Sequence, residues 1–144
     1  MCYSTTTHNK NYKARMSDRH YTPKTSDAAT PKQIQGDYQE QRACEYLESQ
    51  GLSLITQNFS CRMGEIDLIM QHKNSLVFVE VRYRANKQFG GAAASVTKRK
   101  QHKIIRTALF YQQRYAPKSN MRFDVVAIES DNEIQWFESA FNGF

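Results

Sequence analysis

The sequence contains no apolar run approaching the roughly 18 residues that a membrane-spanning helix requires, which excludes a helical membrane protein. No apolar segment stands near its start, so no secretory signal is read there. Cysteine is sparse and odd in number (Cys2, Cys44 and Cys61), with neither paired nor metal-ligand spacing, so a reducing cytoplasm is the expected compartment. There is no G-x-S-x-G, no H-E-x-x-H and no Walker-type phosphate loop, and the four histidines (His8, His20, His72 and His102) are scattered. These absences set aside the serine hydrolases of that motif, the zincins and the P-loop nucleotidases. Val, Ile, Leu and Phe are missing altogether from the first 33 residues. Such a stretch cannot bury enough apolar surface to offset its ordering entropy, and residues 1–33 are expected to form a disordered basic tail, either a polyanion-binding arm or a dispensable extension.

What remains, residues 34–144, is the length of one ordinary domain with a real core. The net charge of +6 and pI near 9.3 invite a nucleic-acid partner. The total is weak support, because the tail holds six Lys/Arg against two Asp, whereas the remainder holds fourteen basic against twelve acidic residues. Local clusters must carry the argument.

From Ile34 the apolar spacing is helical through Tyr38, Ala43, Cys44 and Leu47, with Gly51 placed to end a helix over about 34–50. Leu52–Phe59 reads as extended, and Glu65–Gln71 with Leu76–Arg84 as a hairpin about His72-Lys73-Asn74-Ser75. A loop over 85–96 containing Gly90-Gly91 leads to a helix from about Thr97 to Tyr115, striped by Ile104, Ile105, Ala108, Leu109 and Tyr111. Phe123–Glu129 and Ile134–Phe137 form two further strands around Asp131-Asn132. The order α-β-β-β-α-β-β predicts an α/β domain, a mixed sheet flanked by helices.

The hairpin carries the chemistry. Glu65, Asp67, Glu80 and Arg82 interrupt strands that are otherwise Val, Ile, Leu and Phe, and partly buried carboxylates cost free energy unless something compensates them. With the turn centred between Lys73 and Asn74, Asp67 falls opposite Glu80 and Glu65 opposite Arg82, while Val77, Val79 and Val81 form the core face. Facing like charges are destabilising, and a cation between them relieves this. Two carboxylates with a backbone carbonyl and waters suit Mg²⁺ or Mn²⁺ acting on a phosphate. The alternative is a Glu65–Arg82 ion pair, with Asp67 and Glu80 at a wet sheet end. Glu40 shares a helical stripe with Gly36, Ala43 and Leu47, and so becomes a candidate third carboxylate. The second helix opens Thr97-Lys98-Arg99-Lys100 and continues to Lys103 and Arg106, placing cations where the helix dipole is already positive, an anion site suited to DNA phosphates. Lys100, one turn before Ile104, is expected to face the acidic site; Lys98, Arg99 and Lys103 are nucleic-acid contacts or a solvated face.

Taken together, G-E-I-D-L-I (64–69), F-V-E-V-R (78–82), F-G (89–90), T-K-R-K (97–100) and R-F-D-V-V (122–126) resemble the YraN-like family over about residues 36–141. That family looks like a branch of the PD-(D/E)XK nuclease superfamily, close to the archaeal Holliday junction resolvases. The resemblance implies a restriction-endonuclease-like core, Mg²⁺-dependent hydrolysis of DNA phosphodiesters, and a homodimer acting on branched DNA in recombination or repair. Carried onto this chain, Glu40 matches the acidic residue of the first helix, Asp67 and Glu80 the two acids of the motif, and Lys100 a basic residue of the following helix. Arg82 departs from the pattern, standing where the superfamily has lysine. Arginine stays protonated and cannot serve as a base, so a binding module that keeps the nuclease fold without turnover is the first alternative, and a non-enzymatic scaffold the second.

Overall fold

A computed structural model describes residues 28–84, 96–129 and 133–143. Most of the expected tail, the Gly-rich loop including Phe89-Gly90, and Asp131-Asn132 lie outside the described residues. Seven elements follow in the expected order: α1 (Pro31–Ser49), β1 (Ser53–Cys61), β2 (Gly64–His72), β3 (Ser75–Arg84), α2 (Lys98–Tyr115), β4 (Asn120–Glu129) and β5 (Ile134–Phe141). No helix among the described residues is long and apolar enough to cross a membrane.

α1 begins three residues before the apolar periodicity does, because its start is set by capping. The Thr30 hydroxyl accepts from the Gln33 N–H while the Gln33 side chain accepts from the Thr30 N–H, and Pro31 occupies the first helical position. Its end is the expected glycine stop. Gly51 takes φ +98, the Leu52 N–H donates to the Leu47 carbonyl and the Gly51 N–H to that of Glu48. Leu52 and Leu47 then pack in one buried cluster.

The five strands form one sheet in the order β1-β2-β3-β4-β5, antiparallel throughout except for the parallel β3–β4 pair. A parallel pair cannot be joined by a tight turn, so the chain crosses over through α2. Each helix covers one face. Ala43, Cys44 and Leu47 of α1 pack with Leu68, Met70, Val77, Val79, Val126 and Ile128. Ile104, Ile105, Ala108 and Tyr111 of α2 pack with Ile66, Leu76, Phe78, Phe123 and Val125. The valines of β3 are therefore only one of two core faces; Leu76 and Phe78, on the other face, are fully buried beneath α2. β3 is central, and a central strand of a sheet covered on both sides loses the one-sided alternation that sequence reading assumes.

The β2–β3 hairpin closes through Lys73 and Asn74, with His72 paired to Ser75 and Lys73 at φ +52, the left-handed backbone that two-residue hairpins require. That register, followed through Leu68↔Val79, is the one that sets Asp67 and Glu80 at the next opposed positions. Gly64, at φ +150, allows α2 to approach β2, since a Cβ there would lie 3.0 Å from the Thr107 hydroxyl.

Candidate active site

The crossover dictates where the charges meet. β3 runs towards Arg84, and α2 must return along the sheet to start β4, so the first turn of α2 lies at the end of β3 that holds Glu80 and Arg82. Lys100 Nζ stands 3.4 Å from Glu80 Oε1, and Arg82 Nη1, on the same strand face, 3.7 Å from the same oxygen. Arg82 is thus drawn to Glu80; an ion pair with Glu65 does not take its place, and Glu65 is exposed, paired along the backbone with Ser60 of β1.

Asp67 is 8% and Glu80 4% exposed. The β2–β3 ladder ends at Leu68↔Val79, one step short of them. Here the Asp67 side chain substitutes for the backbone rung, its Oδ2 accepting from the Val81 N–H at 2.8 Å. Asp67 and Glu80 stand close enough for each to perturb the other's ionisation. Burial first, and then the Asp67 charge, push Glu80 from 4.5 up to about 7, against the attraction of Lys100 and Arg82. Burial likewise raises Asp67, opposed by the Val81 N–H and Lys100. Glu40, half-buried on α1, is pushed up to about 7 by burial and by Asp67, with the Asn58 side chain favouring its charged form. Glu80 Oε2 and Glu40 Oε2 are buried without a hydrogen-bond partner. Near Asp67, then, Glu80 and Glu40 each keep one buried carboxylate oxygen without a partner.

Residues 39–128 match the uncharacterised protein family UPF0102. The chain belongs to this family. It is 51% identical over 111 residues to the UPF0102 protein of Herminiimonas arsenicoxydans, an overlap of 77% of this chain and 89% of that one. A UPF0102 protein of Legionella pneumophila is 47% identical over 113 residues (76% and 96%), and that of Coxiella burnetii 50% identical over 103 residues (70% and 86%). Glu40, Asp67, Glu80, Arg82 and Lys100 all fall inside the span matched to UPF0102.

Within this UPF0102 domain the structure brings Asp67, Glu80, Arg82 and Lys100 together, and sets Glu40 close enough to Asp67 for their charges to interact. Among the described residues no three His, Cys, Asp or Glu side chains form a group able to hold a metal ion. The donor chemistry still suits Mg²⁺ or Mn²⁺, which are ordinarily held by one or two carboxylates, waters and a substrate phosphate rather than by an all-protein cage. Of the basic residues opening α2, Lys98, Arg99 and Lys103 are exposed and only Lys100 turns inward, 37% exposed.

Sequence reading missed a further buried acid in the UPF0102 span. Asp124 is fully buried; Arg122 donates to both its oxygens at 2.9 and 2.8 Å, the Trp136 indole to Oδ2 at 2.9 Å, and the Ser139 N–H to Oδ1 at 3.0 Å. Arg122 also reaches His72 Nδ1 at 3.0 Å and Glu138 at 3.3 Å. The signal was the one that marked Asp67, a carboxylate in an apolar strand. Unlike Asp67 and Glu80, Asp124 is fully matched by donors, which makes it a structural clamp between β4 and β5.

Proposed function

We propose that this chain is a metal-dependent endonuclease that hydrolyses DNA phosphodiester bonds, built on the PD-(D/E)XK plan. The observation that carries the reading is the Asp67–Glu80 pair: two neighbouring, buried carboxylates at the open end of the sheet, with one oxygen of Glu80 orphaned and a lysine at its other oxygen. Asp67 and Glu80 would hold Mg²⁺ or Mn²⁺, with Glu40 as an outer ligand. The ion, when bound, polarises the phosphate and lowers the pKa of an attacking water.

The chain's own residues supply the rest. Arg82 keeps its proton, and so serves to stabilise charge developing on phosphate oxygens rather than to accept a proton. Lys100 brings from α2 the ammonium that β3 lacks at position 82, and an amine, unlike a guanidinium, can release a proton. Lys98, Arg99 and Lys103, exposed around the helix N-terminus, suit the backbone of a bound strand. The preference for branched DNA, the kinship with archaeal junction resolvases, the homodimer and a cytoplasmic site of action rest on motif resemblance.

Labelled four-way-junction, flap and linear DNA incubated with the purified protein in Mg²⁺ or Mn²⁺ test this. Cleavage abolished in both Asp67→Ala and Glu80→Ala supports the assignment; full metal-dependent cleavage by Asp67→Asn or Glu80→Gln overturns it. Arg82 favours one second reading, a nuclease-fold binding module, for which the mark is salt-sensitive DNA binding with no cleavage.

A further inference from the structure

Beyond the register shift between Leu54 and Thr56, the regular alternation of β1 and β2 fails again beside Asn58. Gln57 pairs with Leu68, which packs beneath α1, whereas Phe59 pairs with Ile66, and both of these pack beneath α2. Residues two apart in a strand should share a face, yet Ile66 and Leu68 lie on opposite sides of the sheet. Between them sit Asn58, at φ +53, and, facing it in the same register, Asp67. A left-handed residue inside a strand rotates the chain that follows, and Asn is among the few non-glycine residues that tolerate it. The rotation leaves Asp67 belonging to neither face. Its carboxylate is directed along the sheet into the gap where the β2–β3 ladder stops, where it takes the Val81 N–H. The Asn58 side chain, exposed otherwise, stands near enough to the Glu40 carboxylate to favour its charged form.

We infer that Asn58 is the positioning residue of this site: its left-handed backbone swings Asp67 out of the sheet's alternation towards β3, and its amide holds Glu40 beside that carboxylate. The link to cation binding rests on the nuclease reading; the geometric part does not. Two neighbouring features make the assignment specific. Asn58 occupies an exposed position where packing makes no demand for its conformation, and it adjoins two of the site's three carboxylates from a strand that contributes none of them.

Three variants separate backbone from amide. Asn58→Gly keeps the left-handed backbone and deletes the donor, Asn58→Asp keeps the shape and replaces the donor by a charge that repels Glu40, and Asn58→Val resists the backbone conformation itself. Two measurements are made on each full-length protein: Mn²⁺ affinity by calorimetry, and hydrogen exchange of the Val81 amide by NMR without metal. Removing a group that orients a ligand typically weakens metal binding by about ten-fold or more, so Mn²⁺ affinity is expected to fall by that factor in Asn58→Gly and further in Asn58→Asp, with thermal midpoints near wild type. Val81 protection is expected to persist in Asn58→Gly and to fall about ten-fold or more in Asn58→Val, as local opening at that rung becomes easier. Wild-type Mn²⁺ affinity in Asn58→Gly overturns the amide's role, and unchanged Val81 exchange in Asn58→Val overturns the backbone's. A wild-type protein that binds no Mn²⁺ sinks the nuclease reading instead, and the positioning role is then judged on Val81 alone.

Discussion

Glu80→Gln is expected to stabilise the metal-free protein near neutral pH while abolishing the chemistry of its site. Glu80 is almost wholly buried, feels the charge of Asp67, and leaves one oxygen unpartnered. Its carboxyl titrates at about 7 in the folded chain instead of 4.5, with the attraction of Lys100 and Arg82 already included. At 1.36 kcal/mol for each pH unit, ionising it in place costs about 3 kcal/mol, an upper bound that local water and relaxation bring towards about 1 kcal/mol. The folded chain binds this proton more tightly than the unfolded chain, so its stabilising contribution is complete below 4.5 and is lost as pH rises through about 7. Glutamine has no proton to lose. Urea denaturation of both proteins in EDTA, from pH 4 to 8, should therefore show curves that diverge with pH. Near pH 4.5 the two should be similar, and by pH 8 the variant should be more stable by about 1–3 kcal/mol. Mg²⁺ should restore the wild type alone, by about 2.7 kcal/mol at a hundred-fold excess over Kd. A stability difference that does not change with pH would refute the reasoning, because it would mean that Glu80 titrates alike in both states.

Lys100→Met should abolish cleavage yet change stability by less than about 1 kcal/mol, since the ammonium is more than one-third exposed; an active Lys100→Met enzyme in the DNA assay would remove it from the mechanism. Asp124→Asn should cost about 3–5 kcal/mol in thermal or urea unfolding, because it leaves Arg122 partly buried against a neutral amide, and a loss under about 1 kcal/mol would show that the clamp is dispensable. Replacing Lys98, Arg99 and Lys103 together by Ala should flatten the dependence of DNA affinity on salt, with a change in slope of about 2–3 on a double-logarithmic plot, and an unchanged slope would place the backbone contacts elsewhere. Arg122 can only donate to His72 Nδ1, so the neutral His72 ring should carry its proton on Nε2, and ¹⁵N shifts reporting the opposite tautomer would contradict the clamp's geometry.

The sequence by itself determined whatever depends on near neighbours. Seven elements in order, the Gly51 stop of the first helix and the two-residue turn at Lys73-Asn74 follow from spacings of a few residues, and the turn fixes the register that opposes Asp67 to Glu80. The acids announced themselves by interrupting apolar strands. Tertiary structure alone decided what each acid meets. Nothing local tells Asp124, matched on every side by Arg122, Trp136 and Ser139, from Glu80, left with a bare oxygen; the difference lies in partners supplied by other strands. Lys100 reaches Glu80 only because a parallel pair forces a crossover helix back along the sheet. Both faces of β3 are core because a helix lies on each, and Asn58 turns left-handed where β2 must present Asp67 edge-on to β3. Backbone periodicity is set by bonds to adjacent residues, whereas burial, and with it the energy of every charge in this site, is set by segments tens of residues away.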